Sequence, residues 1–289
     1  MIAGRIQGCL ASLTSQVTRY RATAIILALL CSAIIGDAIR TRQRAHALAY
    51  LSAMLLCAII VDMIAATRPR AAWVVNDKAH ETRAIVFSLA MTVALSTLRF
   101  VVIADMRHLN PFMRVALFVL VLLFVYPLFL LAYFIWRQRY SPRQLGLRVS
   151  AAWVALPVIA IIGVTTCLVA PQKLQFREVY EQSGVLSMLF LGFVTAALPE
   201  EFVRVLAQSR FSAVFANKGL GWLAASVLWA VIHIPNFYSR SGSLFAATMS
   251  TIGIVPIGLL WGYMSERLKS IAPSVLTHGT NLWGLQNLL

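Results

Sequence analysis

Six polar residues in the last third of the chain interrupt runs that are otherwise apolar: Glu200, Glu201 and Arg204 in one run, His233 at the end of the next, and His278 with Asn281 in the last. A carboxylate can draw a proton from water, and donors fixed in a low-dielectric site can stabilise the oxyanion of a tetrahedral intermediate. The two glutamates are adjacent within Leu-Gly-Phe-Val-Thr-Ala-Ala-Leu-Pro-Glu-Glu-Phe-Val-Arg. An acidic residue at the centre of a membrane helix costs roughly 2.5–3.5 kcal/mol, so both must face protein or water. On a helix Glu200 and Arg204 share a face, and Glu201 is rotated from Glu200 by about 100°. One carboxylate can then be held ionised by Arg204 while burial raises the other. The plainer reading of this segment is a helix-to-helix salt bridge.

His233 lies in Trp-Ala-Val-Ile-His-Ile-Pro-Asn-Phe, where Pro235 and Asn236 mark a helix stop. Alone it reads as a satisfied helix-end histidine more readily than as a catalytic group. His278 and Asn281 fall one turn apart in Ala-Pro-Ser-Val-Leu-Thr-His-Gly-Thr-Asn-Leu-Trp and point the same way. Their plain reading is hydrogen-bond glue between helices, and their chemical reading is a pair of donors converging on one point.

The elements that position these residues are membrane helices. The chain is 60% hydrophobic and 12% charged, with a mean hydropathy of +0.79, a composition foreign to soluble domains. A hydrocarbon core about 30 Å thick needs roughly 20 apolar residues per helix, and about nine such runs are present. They are Ala22 to Ile39, Ala45 to Ala66, Ala84 to Ala104, Met113 to Trp136, Ser150 to Ala170, Leu186 to Gln208, Gly219 to Asn236, Leu244 to Ser265 and Pro273 to Leu289. Unbroken runs of this kind predict an all-α polytopic integral membrane protein and exclude a transmembrane barrel. Simple counting along these spans puts Glu200 near mid-membrane, His233 toward the outer end and His278 near the inner end. They can share a site only if helices tilt strongly, helix ends shift, or the sixth helix runs inward beyond Gln208.

The net charge of +15 is spread over nearly every connection between the runs, which reads as a topology signal and not as a nucleic-acid surface. The N-terminus and even-numbered connections carry about fifteen positive residues against about eight in the odd-numbered ones, which predicts a cytoplasmic N-terminus. The first run ends in Asp37, Arg40 and Arg42 without a small-residue cleavage site and is read as a retained helix. Cys9, Cys31, Cys57 and Cys167 have no ligand spacing and read as small apolar helix residues. Asp37, Asp62 and Arg99 in the first half read as ion pairs between neighbouring helices or as snorkelling groups. A break in the basic stretch Arg137 to Arg148 divides the chain into an N-terminal four-helix region, 1–145, and a C-terminal region, 146–289, that holds the chemistry.

Taken together, the three polar groups resemble the CAAX protease and bacteriocin-processing family. Its signature is Glu-Glu-x-x-x-Arg, then aromatic-x-x-x-His, then His-x-x-x-Asn. Here these are Pro-Glu200-Glu201-Phe-Val-Arg204, Trp229-Ala-Val-Ile-His233 and His278-Gly-Thr-Asn281. The run from Gly262 to His278 is also similar to the family's approach to its last motif, and the likeness covers roughly residues 185 to 289. Arg204 and Asn281 each come one place early, with Val205 and Leu282 at the expected positions. Three and four residues are both about one helical turn, so each pair still shares a side. Alignment on Arg204 would instead put Pro199 and Glu200 at the glutamate positions.

The resemblance implies a glutamate-dependent intramembrane endopeptidase acting without a covalent intermediate on a membrane-associated protein or peptide. In it Glu200 activates water beside Glu201, His233 helps position the water, His278 and Asn281 form the oxyanion site, and Arg204 and Trp229 shape the pocket. No cofactor is implied. Zinc is the rival within the enzyme class, because two histidines and a carboxylate can ligate it, but no His-Glu-x-x-His spacing is present. Outside that class stand a non-catalytic scaffold or immunity protein of the same fold, and a proton-coupled transporter, for which the paired broken helices in matching halves are missing. A bacterial inner membrane is the expected setting, with the first four helices gating access or holding a membrane partner.

Overall fold

The computed structural model describes residues 20–66, 73–102, 110 and 127–284. Among them all regular structure is helical. In chain order the helices are α1 (Arg21–Arg40), α2 (Arg44–Ile64), α3 (Lys78–Val102), α4 (Phe129–Ala132, continued by a π turn Tyr133–Arg137), α5 (Ala155–Val169), α6 (Phe176–Leu189), α7 (Leu198–Val214), α8 (Lys218–Val231), α9 (Ile234–Ser241), α10 (Leu244–Leu268) and α11 (Ala272–Leu282). A π-helical stretch, Phe190–Ala197, joins α6 to α7.

Five of these segments are long and apolar enough to cross a membrane: Arg21–Arg40, Arg44–Ile64, Ala152–Val169, Lys218–Ser241 and Leu244–Leu268. The expected nine spans are therefore not reproduced. Most of the fourth expected run, Arg5, Arg19, Arg68, Arg70 and Cys9 lie outside the described residues, and the side chain of Arg99 is not described. The last expected span is a helix of 11 residues, Ala272–Leu282. At 1.5 Å per residue it covers about 16 Å, half the hydrocarbon thickness.

Proline sets several of the boundaries. Pro199 opens α7, and because proline has no N–H, the preceding turns widen to π spacing in place of the lost bond. Pro235 and Pro273 stand in the first turns of α9 and α11, where a missing donor costs nothing. Asn217 caps α8 by accepting from the Leu220 N–H, and Ser243 caps α10 by accepting from Ala246.

Two apolar cores flank the site. One joins α2, α5, α8 and α10 through Tyr50, Met54, Val158, Trp229, Trp261 and Met264. The other packs Ile85, Phe134, Tyr140 and Leu145 against Phe202, Val203 and Leu206 of α7. Two ion pairs, one buried and one partly buried, tie the first half of the chain to the second. Arg210 Nε donates to Glu81 at 2.8 Å with both side chains excluded from solvent, and Tyr140 Oη donates to the other oxygen of Glu81 at 2.8 Å. Arg267 Nε donates to Asp62 at 2.8 Å, and Tyr263 Oη joins them. Asp62 thus pairs with a neighbouring helix as its sequence context suggests, whereas Asp37 pairs with Arg40 of its own helix at 2.6 Å. The described cysteines are free: Cys57 is buried, Cys31 half-buried and Cys167 exposed.

The connections sort into two ends. At one end Trp73 lies under Lys269 Nζ at 4.1 Å, the Asn76 N–H donates to Tyr140 Oη at 2.6 Å, and the Ile271 N–H donates to the Gly146 carbonyl at 3.1 Å. At the other end His46 Nε2 donates to the Val169 carbonyl at 3.0 Å, and the Arg40 guanidinium lies 5.2 Å from the Phe245 ring. The described residues of the second, fourth and eighth connections between the expected runs thus meet at one end, and those of the first, fifth and seventh meet at the other. Glycine is favoured at position 146 at the first end: its φ is +78°, and a Cβ there would meet Trp73 at 3.0 Å.

Candidate functional site

The site forms where α7, α8, α10 and α11 meet. α7 continues to Val214, beyond Gln208, and this extension brings the three depths into register. Glu200 stands 14 residues before the end of α7, and His233 stands 15 residues after the start of α8. At 1.5 Å per residue both are about 21–23 Å from the tight turn that joins those helices. Likewise Trp261 and His278 are each about 10 Å from the turn between α10 and α11.

Glu201 is fully buried and fully engaged. Arg204 Nη2 donates to its Oε2 and Arg204 Nε to its Oε1 at 3.4 Å, and His278 Nδ1 lies 3.1 Å from Oε1. A carboxylate only accepts, so His278 Nδ1 carries the proton and its Nε2 points elsewhere. That Nε2 faces Glu200 Oε2 at 3.7 Å. His233 is fixed in the same tautomer by another route, because its Nδ1 donates to the Trp229 backbone carbonyl at 2.9 Å. Its Nε2 also stands 3.7 Å from Glu200 Oε2. Trp229 Nε1 donates to that same oxygen at 2.7 Å.

Adjacent glutamates thus have different surroundings. Spacing alone put Glu200 on the face of Arg204, yet the guanidinium pairs with Glu201, one residue nearer. Glu200 keeps a side-chain exposure of 14% and His233 of 24%, against 0% for Glu201 and 4% for His278. Two imidazole Nε2 atoms and one carboxylate oxygen thereby converge on the open side, at separations too long for a direct hydrogen bond and suited to a shared water. Trp229, named from sequence as a pocket residue, touches the Glu200 carboxylate directly. Asn281 lies one turn beyond His278 and half-buried, and no hydrogen bond joins it to the other site residues among those described. Also among the described residues, no three His, Cys, Asp or Glu side chains gather as a metal site.

Sequence reasoning missed Trp261. Its ring stacks on His278 at 4.0 Å with planes 15° apart, and Trp229 meets it edge-on at 5.4 Å. In sequence it is one apolar residue within the run of α10, indistinguishable from core. It also missed Gln208, which donates to Glu266 at 2.7 Å and to the Gly262 carbonyl at 3.4 Å. Gly262 admits this polar file: a Cβ there would lie 2.6 Å from Arg204 Nη1 and 2.8 Å from Gln208 Oε1. On the other flank α11 is held to the chain before α7, with the Phe193 ring against Gly279 and Trp283 Nε1 donating to the Met188 carbonyl at 2.8 Å.

Residues 182–283 match the family model described as Type II CAAX prenyl endopeptidase Rce1-like. That match bears out the resemblance to the CAAX protease family, a family of membrane endopeptidases, and it encloses Glu200, Glu201, Arg204, Trp229, His233, His278 and Asn281. No curated protein and no solved structure matches the chain.

Proposed function

We propose that the chain is an intramembrane endopeptidase in which Glu200 activates a water to attack a peptide bond of a membrane-associated substrate. The observation that carries this is the placement of Glu200 Oε2, 3.7 Å from the Nε2 atoms of both His233 and His278. A water bound on the open side can lose its proton to Glu200 while His233 holds it in line. As the tetrahedral intermediate forms, His278 Nε2 stabilises the oxyanion if His278 is protonated, its charge balanced by Glu201 through Nδ1. Asn281 is assigned as the second oxyanion donor, a role that requires its side chain to turn toward substrate. Glu201 and Arg204 form the fixed base of the site, and Trp229 and Trp261 orient the carboxylate and the imidazole.

The substrate is a membrane-anchored protein or peptide that approaches through the bilayer or along its surface. The basic residues of the even-numbered connections support a cytoplasmic N-terminus, and the compact connections fit a bacterial inner membrane. The first four helices gate access or hold a membrane partner. Cleavage of membrane-anchored reporter peptides by the purified protein tests the reading: it must vanish in Glu200→Gln with folding intact. Cleavage that stopped with strong chelators and returned with zinc would instead move the mechanism to a metal. A folded wild-type protein that cut no member of a broad reporter panel would favour a non-catalytic scaffold or immunity role, which the one-place displacement of Arg204 and Asn281 allows.

A further inference from the structure

The connection between α4 and α5 is not accounted for by catalysis. Residues 137 to 149 hold Arg137, Arg139, Arg143 and Arg148 and no acidic residue. All four arginines are exposed, and none is paired with a carboxylate among the described residues. The chain beneath them is nonetheless firmly built. Tyr140 and Leu145 are buried at 3% and 1%, Tyr140 is bonded to Glu81 and to the Asn76 N–H, and Gln138 Nε2 donates to Tyr133 Oη at 2.8 Å. Ser270 Oγ donates to the Arg148 carbonyl at 2.6 Å. The inner side is thus anchored, and the outer side presents four guanidinium groups.

Two tryptophans bracket the connection. Trp136, at the end of the π turn after α4, is 73% exposed, and Trp153, just before α5, is 55% exposed. Exposed tryptophan at both ends of a basic loop that leads into the membrane helix α5 fits the depth of the lipid headgroups, where an indole finds an apolar and a wet side. We infer that the Arg137–Arg148 connection is a binding surface for the phosphate groups of anionic phospholipids. Guanidinium suits this partner because its planar fork can bind phosphate oxygens bidentately.

The test needs no catalytic activity. Full-length protein in neutral detergent is titrated with phosphatidylglycerol, phosphatidylcholine, inorganic phosphate and a short RNA while the thermal midpoint is followed. Native mass spectrometry counts the lipids retained. Phosphatidylglycerol alone should raise the midpoint, and 0.5 M salt should abolish the rise. Each Arg→Gln substitution should weaken the apparent affinity by roughly fivefold and all four together by more than about a hundredfold. Replacing all four by lysine should keep a salt-sensitive response to phosphatidylglycerol that is weaker than that of arginine, and loss of the whole response in a folded lysine variant would overturn the inference. Equal responses to phosphatidylglycerol and phosphatidylcholine, or full response to inorganic phosphate or to RNA, would overturn the inference, as would undiminished lipid retention in the fourfold glutamine variant. If that variant does not fold, the lysine variant and the salt titration of the wild type decide the matter.

Discussion

Replacing Arg204 by methionine strips Glu201 of a guanidinium with which it shares a site closed to solvent on both sides. The remaining carboxylate keeps one partner, His278 Nδ1 at 3.1 Å, in a site that the intact pair closes to solvent. Removing one member of a buried ion pair costs about 3–5 kcal/mol, or two to almost four decades in the folding equilibrium. Converting Glu201 to glutamine in the same molecule removes the stranded charge, and a glutamine carbonyl can still accept from His278. The double variant should therefore be more stable than the sum of the two single costs implies, by about 2–3 kcal/mol. Lysine at 204 should fall between wild type and methionine, since an ammonium cannot reproduce the two-pronged contact. Denaturant unfolding in mixed micelles, followed by tryptophan fluorescence, reads all four variants. A methionine variant within about 0.5 kcal/mol of wild type, or single costs that simply add, would refute the view that Glu201 and Arg204 are one buried unit.

The same assay checks three further expectations. Gly262→Ala should destabilise by about 1–3 kcal/mol because its Cβ meets Arg204, Gln208 and Trp222 at 2.6, 2.8 and 3.0 Å. Gly163→Ala, where nothing lies within 4 Å, should be neutral or stabilising by up to about 1 kcal/mol. Glu81→Leu should cost about 3–5 kcal/mol by stranding Arg210, and adding Arg210→Leu should recover much of it. Finally, burial pulls the ammonium of Lys269, beyond the end of α10, down from its usual value to about 8. The unfolded chain keeps that proton to about 10.5, so between those values it binds more protons than the folded chain, and stability should rise with pH from about 8 to 10.5. Midpoints measured across that window should rise in wild type and rise less in Lys269→Met.

The polar residues of the site were legible in sequence because a charge inside an apolar run needs a cause. Glu200, Glu201, His233 and His278 all come together, and they do so because α7 extends to Val214. That extension was hard to see, since Ser209, Arg210 and Ser212 look like the polar end of a span. In the fold Arg210 is buried against Glu81 between the rings of Phe134 and Tyr140, 4.5 and 5.1 Å from the guanidinium. Long-range pairing of this kind has no local signature, so Glu81 reads as one more charge in a basic connection. Trp261 was invisible for the opposite reason, being apolar among apolar neighbours. The choice of Glu201 over Glu200 as the partner of Arg204 depends on rotamers, which spacing does not set, as three and four residues are both one turn. The ninth span is not confirmed among the described residues, because apolar composition does not set helix length and the regular helix there covers only Ala272–Leu282.

Cleavage of a membrane-anchored reporter by wild type, Glu200→Gln and Glu201→Gln, each with its unfolding midpoint, tests the central claim most directly. Glu200→Gln should lose cleavage while keeping its midpoint, because Glu200 is partly exposed and its bond from Trp229 survives in the amide. Glu201→Gln should lower the midpoint along with the rate, since it leaves Arg204 unbalanced. Cleavage by Glu200→Gln at the wild-type rate would contradict the assignment of Glu200 as the base, and loss confined to a fully stable Glu201→Gln would move that role to its neighbour.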